Sequence, residues 1–251
     1  MNGRREISVS KDSEQLSHRA ATTISGLVGR AIQARGISFV ALAGGETPAR
    51  VYELLASDPL KNSIDWRHVH VFFGDERMVH PDDPASNYGM VHRQLVSRIP
   101  IPVENVHRIR GEASPTDASK EYEAELQKWF NGRLPRFDVV VLGVGEDGHT
   151  ASLFPGTDSL GEASKMAIGY FVPQLKSWRV TLTLPVLLNA RETIFLAAGR
   201  QKAPVIAKIL GASGTQSDLP ASMVSPAQGT VRWMLDEDAA SLIPHASGRP
   251  G

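Results

Sequence analysis

The chain has 251 residues, 41% of them hydrophobic, enough for one large domain or two small ones with a substantial core. Lysine plus arginine equals aspartate plus glutamate at 27 each, so no surplus charge argues for nucleic acid or an anionic membrane as a partner. The absence of cysteine excludes disulfides, thiol catalysis and cysteine-ligated zinc.

The polar opening MNGRREISVSKDSEQ lacks the apolar segment of a signal peptide. No run reaches the roughly 18 apolar residues that span a bilayer, so the expected location is the cytoplasm. Residues 7–9 read as a short strand. Over residues 13–34 the apolar positions Leu16, Ala20, Ile24, Leu27, Val28, Ala31 and Ile32 fall on one helical face, with Ser13 as N-cap and Gly36 as the stop. Residues 37–42 form an apolar strand that ends in Ala43-Gly44-Gly45-Glu46-Thr47-Pro48. A helix over 49–56 follows, with Thr47 as N-cap and Pro48 in the first turn. Such a glycine turn feeding a helix either binds an anion, usually phosphate, or is only a tight connection.

Residues 68–73 are the third strand. Its His68 and His70 alternate onto one face, but no third ligand accompanies them and no metal site is expected. Gly74-Asp75-Glu76-Arg77 reads as a loop at the strand end. Arg77 there suits bidentate binding of phosphate or carboxylate, or an ion pair with Asp75, Asp82 or Asp83. Ser86-Asn87 suits the cap of a helix running to Arg98. Residues 106–109 read as a short strand, and 117–130 as an amphipathic helix stopped by Gly132.

The most informative stretch is FDVVVLGVGEDGHTASLFPG, residues 137–156. Its β-branched run at 139–142 reads as a strand buried on both faces. Gly143, Gly145 and Gly148 match the letters of the dinucleotide fingerprint, but Pro155-Gly156 interrupts the helix that motif needs and no acid occurs from Ala163 to Val172. The turn instead carries Asp147 two residues before His149 at a strand's carboxyl end, the usual address of ligands in an open α/β sheet. His149 there serves as a general base near neutral pH or only hydrogen-bonds the loop. Further strands are read at 166–172, 179–184, 193–198 and 230–236. Gly199 and Lys202 precede a helix at 204–210, where a lysine adds charge against an anion. Residues 245–251 read as a flexible tail, and 1–244 as a single domain without repeats. The alternation of strands and helices implies an α/β fold, mostly parallel, with helices on both faces.

GVGEDGHTASLFPG closely resembles the signature of the 6-phosphogluconolactonases, which belong to a wider group that includes glucosamine-6-phosphate deaminase. The Gly-Gly-x-Thr-Pro turn, Asp75-Glu76-Arg77 followed by Ser86-Asn87, and Arg179 before an x-Thr-Leu-Thr strand extend the resemblance from about Glu6 to Ala240. It implies a single-domain Rossmann-like fold of the sugar-phosphate isomerase/deaminase kind. It also implies hydrolysis of 6-phospho-D-glucono-1,5-lactone without a cofactor or metal. His149, Asp147 and Arg77 would be catalytic. Gly44, Gly45, Thr47, Asp75, Arg179 and Lys202 would bind substrate and its phosphate. Glu46 departs from the serine common in relatives. The partner implied is a small sugar-phosphate lactone, with no nucleic acid or membrane, and the protein a monomer or small homo-oligomer. The rival readings are a deaminase/isomerase and a non-catalytic sugar-phosphate sensor. Deaminases place a carboxylate soon after the histidine, whereas here no acid lies between Asp147 and Asp158. A sensor would lack the base.

Overall fold

The computed structural model describes residues 3–211 and 218–244, so the expected tail at 245–251 lies outside the described residues. The expected α/β fold is borne out. Six parallel strands form the main sheet: β1 (Arg4–Ser10), β2 (Ser38–Leu42), β3 (Val69–Phe73), β5 (Val139–Gly143), β8 (Glu192–Ala197) and β9 (Thr230–Asp236). Their spatial order is β1-β9-β8-β5-β2-β3. Every residue of β3 is buried, as are Val139 to Leu142 of β5. Strands buried on both sides need cover on both faces of the sheet, which accounts for their nearly unbroken apolar sequence.

The helices follow the expected pattern with shifted ends. The first, α1 (Ser13–Arg35), is capped by Asp12, whose carboxylate accepts from Gln15 N at 2.8 Å, and not by Ser13, which is its first helical residue. Gly36 ends it at φ 75°, as expected. The helix α2 (Glu46–Leu55) begins one residue before Thr47, so Thr47 lies in its first turn instead of capping it. The helix α3 (Asn87–Gln94) is capped by Ser86 but stops short of Arg98, because Leu95 leaves helical geometry and a 3₁₀ turn follows. The helix α4 (Pro115–Trp129) starts at a Ser114 cap. The helix α5 (Ala203–Leu210) follows a 3₁₀ turn at Arg200–Lys202.

Two strand expectations change. Residues 106–109 make only an isolated bridge from Val106 to Val71, directly after a 3₁₀ turn at Val103–Asn105. Asp75–Arg77 is not a loop. It is the strand β4 of a second, three-stranded antiparallel sheet, paired with β7 (Ser177–Leu182), which in turn pairs with β6 (Ala167–Val172). Gly74 O accepts from Leu182 N at 2.8 Å and carries the chain from the main sheet into the second.

Because the main sheet is parallel, the carboxyl ends of β2, β3, β5 and β8 lie along one edge. Two buried tyrosines pin that edge. The Tyr52 hydroxyl accepts from Ala43 N at 3.0 Å and donates to Ala43 O at 2.9 Å. The Tyr122 hydroxyl does the same at Phe73, at 2.8 and 2.7 Å. Each satisfies an N–H and a C=O at the point where a strand gives way to a glycine turn.

Candidate active site

The turn after β2 enters α2 through Gly45, whose φ of 110° only glycine adopts without strain. Gly44 needs its hydrogen for a different reason, since a Cβ there would come 1.8 Å from Asn87 Oδ1. No side chain caps α2. Its first backbone amides therefore remain available at the positive end of the helix, a setting that favours an anion.

The turn after β3 delivers two buried carboxylates. Asp75 accepts from Ser152 Oγ at 2.6 Å and from Asn87 Nδ2 at 3.1 Å. Glu76 accepts from the backbone N–H of Arg77, Asn87 and Tyr88 at 2.7 to 2.8 Å, and from the Ser86 hydroxyl at 3.1 Å. Burial nevertheless pushes its carboxyl above the usual range. Glu76 thus ties β4 to the start of α3 and sets Asn87 against Gly44.

Arg77 forms no ion pair with Asp75, Asp82 or Asp83 among the described residues. Its Nη1 donates instead to Ala85 O at 2.5 Å. Arg77 and Arg179 occupy paired positions on β4 and β7. The Nε of each is buried without a hydrogen-bond partner. Burial, and next the Arg77 charge, lowers the pKa of Arg179. Two guanidinium groups brought together with donors unspent form a site that an anion relieves.

The turn after β5 carries the histidine. His149 Nδ1 lies 2.6 Å from Asp147 Oδ1, and His149 N donates to the same oxygen at 3.1 Å. A carboxylate only accepts, so Nδ1 carries a proton, and in the neutral imidazole Nε2 is then the acceptor. Gly145 packs against this pair, and a Cβ there would stand 2.1 Å from His149 Nδ1 and 2.5 Å from Asp147 Oδ1. The turn after β8 is fixed by Gly199 N, which donates to both Asp236 carboxylate oxygens at 2.9 and 3.0 Å. It brings Lys202 to the same edge.

These four turns enclose a cleft of about 680 Å³. Gly44, Gly45, Thr47, Asp75, Arg77, His149 and Lys202 line it, as does Glu46. Asp147 pairs with His149 but lies outside the lining. Arg179 is also outside the lining and stands beside Arg77. The volume suits a small ligand, and the polar groups converge from four connections. In sequence Asn87 reads only as part of a helix cap, and nothing marks Ser152 or Asp236 for the contacts they make. Their pairing with residues 12, 77 and 37 positions away has no local pattern to reveal it.

The two histidines considered for metal part company. His68 is in a 3₁₀ turn and bonds Asp65 at 3.0 Å, while His70 is buried against His107 Nε2 at 2.9 Å. Among the described residues, no group of three or more His, Asp or Glu side chains is placed to hold a metal ion. None of the described helices is long and apolar enough to cross a membrane.

Residues 11–233 match the family described as glucosamine-6-phosphate isomerases/6-phosphogluconolactonase. A 6-phosphogluconolactonase of Synechocystis sp. is 35% identical over 243 residues, which cover 95% of this chain and 98% of that one. The Homo sapiens 6-phosphogluconolactonase is 38% identical over 248 residues, covering 94% and 93%. The solved structure of 6-phosphogluconolactonase from Trypanosoma brucei superimposes with a TM-score of 0.83 at 29% identity, covering 95% of this chain and 98% of that one.

Proposed function

The chain belongs to the glucosamine-6-phosphate isomerase/6-phosphogluconolactonase family, and from that premise we propose that it is a lactonase that hydrolyses 6-phospho-D-glucono-1,5-lactone, with His149 as general base. The observation that carries the base assignment is the His149–Asp147 contact of 2.6 Å at the wall of the cleft. It leaves Nε2 as the acceptor for a proton from water.

The water attacks the lactone carbonyl, C1. The C1–O π bond opens to an oxyanion, and His149 becomes imidazolium, a charge that Asp147 stabilises. On collapse the bond from C1 to the ring oxygen breaks. His149 returns its proton to that oxygen, and 6-phosphogluconate leaves as the open acid. Arg77 and backbone N–H groups stabilise the oxyanion. Arg179, Lys202, Thr47 and the amides at Gly44–Gly45 hold the phosphate. The unspent Nε of Arg179 supports the phosphate at that end, and that of Arg77 the oxyanion beside it. Asp75 is already bonded to Ser152 and Asn87, which suits it to orient substrate groups at the cleft floor. On this reading the partner is a small sugar-phosphate lactone, neither nucleic acid nor membrane, and the protein works in the cytoplasm as a monomer or small homo-oligomer.

The test of the reaction is proton release from freshly generated lactone at constant pH, with chelator present and buffer alone in parallel. Release well above the buffer rate is expected. No acceleration by folded protein, together with ammonia release from glucosamine 6-phosphate, would move the chain to the deaminase branch.

A further inference from the structure

Three contacts hold the His149 ring. Asp147 engages Nδ1 at 2.6 Å, and the Gly145 backbone closes on the same edge. The third contact is Phe154, stacked on the imidazole with ring centroids 4.1 Å apart and planes 25° from parallel. Phe154 is almost wholly buried, whereas the His149 side chain is 31% exposed. The aromatic ring thus covers the histidine from the protein side and leaves its remaining surface to the cleft.

The local chain builds this stack. Thr150 and Leu153 exchange backbone hydrogen bonds at 3.3 and 2.8 Å. Ala151 between them adopts φ 48°, and the resulting two-residue turn brings Phe154 back beneath His149. The turn is anchored from outside. Ser152 Oγ donates to Asp75 at 2.6 Å, and Ser152 N donates to Thr181 Oγ1 at 3.2 Å. Tyr170 of β6 donates its hydroxyl to Ser152 O. Phe154 is therefore placed by a short connection bonded to the second sheet.

Asp147 alone fixes one atom of the imidazole and leaves the ring free to swing about that contact. A flat ring against one face removes the swing. We propose that Phe154 is a positioning residue for the reaction, holding the imidazole plane so that Nε2 stays aimed at the attacking water. The inference rests on His149 being the general base. It predicts an effect on turnover and little on binding, because the phosphate groups lie on other turns.

The test combines proton NMR with kinetics. The His149 ring protons are assigned by their loss in His149→Ala. In the wild type the Phe154 ring current should move them upfield. Ring protons at unstacked positions would overturn the proposal without any Phe154 variant. In Phe154→Leu and Phe154→Met, which stay apolar but cannot stack flat, the signals should move downfield. kcat should fall about ten- to a hundredfold with KM within about threefold. If the signals move and kcat stays within about twofold, Phe154 positions nothing. If KM rises in step with the fall in kcat, its role is in binding and the proposal also fails. His149→Ala separates the two claims: inactivity there with full activity in the Phe154 variants sinks the positioning role alone, whereas full activity of His149→Ala sinks the base assignment and this inference with it.

Discussion

Arg77 and Arg179 face one another across the β4–β7 pair, and neither Nε has a hydrogen-bond partner. Burial and mutual repulsion make that arrangement costly unless anionic groups are bound, and on the proposed reading the substrate brings its phosphate to Arg179 and its developing oxyanion to Arg77. Arg179→Gln should raise KM for the lactone about ten- to a hundredfold, the value of a charge-assisted hydrogen bond, with a smaller change in kcat. Initial rates over a range of lactone concentrations check this. An unchanged KM would remove Arg179 from phosphate binding.

Tyr52 should matter for stability as well as for the site. Its hydroxyl serves both the N–H and the C=O of Ala43, immediately before the Gly44–Gly45 turn. Tyr52→Phe leaves both buried groups unpaired and should cost about 1–3 kcal/mol in urea unfolding. The loosened turn should also weaken binding of the lactone, read as a higher KM.

Gly145→Ala tests how tightly the histidine pair is seated. The backbone at 145 tolerates alanine, but the new Cβ would meet His149 Nδ1 and Asp147 Oδ1. The pair must shift, and a displacement of about 1 Å at a reacting group costs on the order of a hundredfold in kcat. A variant that folds with wild-type kcat would contradict the assignment.

A buried relay away from the cleft gives the protein a pH-dependent stability. His70 Nδ1 is 2.9 Å from His107 Nε2, His107 Nδ1 is 2.9 Å from Glu125 Oε1, and Trp129 Nε1 donates to the same oxygen at 2.8 Å. Glu104 and Lys128 are the other charges acting on the pair. Burial, then the neighbouring His107, pushes His70 down to about 4, and burial lowers His107 as well. An unfolded imidazole titrates near about 6.5, so between these values the unfolded chain binds more protons than the folded one. The stability is fully present above the unfolded pKa. It is lost as pH falls from about 6.5 toward 4, with a slope of up to about 1.4 kcal/mol per pH unit for each proton. The urea midpoint should therefore drop between pH 7 and pH 5, and less so in His70→Phe.

Much of the cleft was legible because its parts are local. The carboxyl ends of apolar runs, the glycines and the Asp-x-His spacing are all written in short stretches, and parallel topology then brings the turns to one edge. Two strands of the second sheet, near 166–172 and 179–184, were legible, but not its third strand nor that the three form a sheet of their own. Asp75-Glu76-Arg77 is too short and too polar to signal a strand, and becomes one only because β7, about a hundred residues later, pairs with it. The same holds for Asn87 and Ser152, which converge on Asp75 from 12 and 77 residues further along the chain. Thr47 is not the cap for a local reason: Gly45 accommodates the sharp entry at φ 110°, so the cap falls at Gly45 and α2 starts two residues early. Phe154 lies within the motif but carries no periodic signal, since it reaches His149 through a hairpin and not along a helix face.

If His149, oriented by Asp147, takes the proton from water, removing the imidazole should remove most of the turnover. Proton release from fresh 6-phosphogluconolactone is followed for wild type and His149→Ala at equal folded concentration, with the buffer rate subtracted. Loss of about 10²–10⁴-fold in kcat with KM nearly unchanged is the predicted result. A His149→Ala protein that turns over lactone at the wild-type rate would rule out His149 as the base and move that role to another group, with Asp147 the first to test.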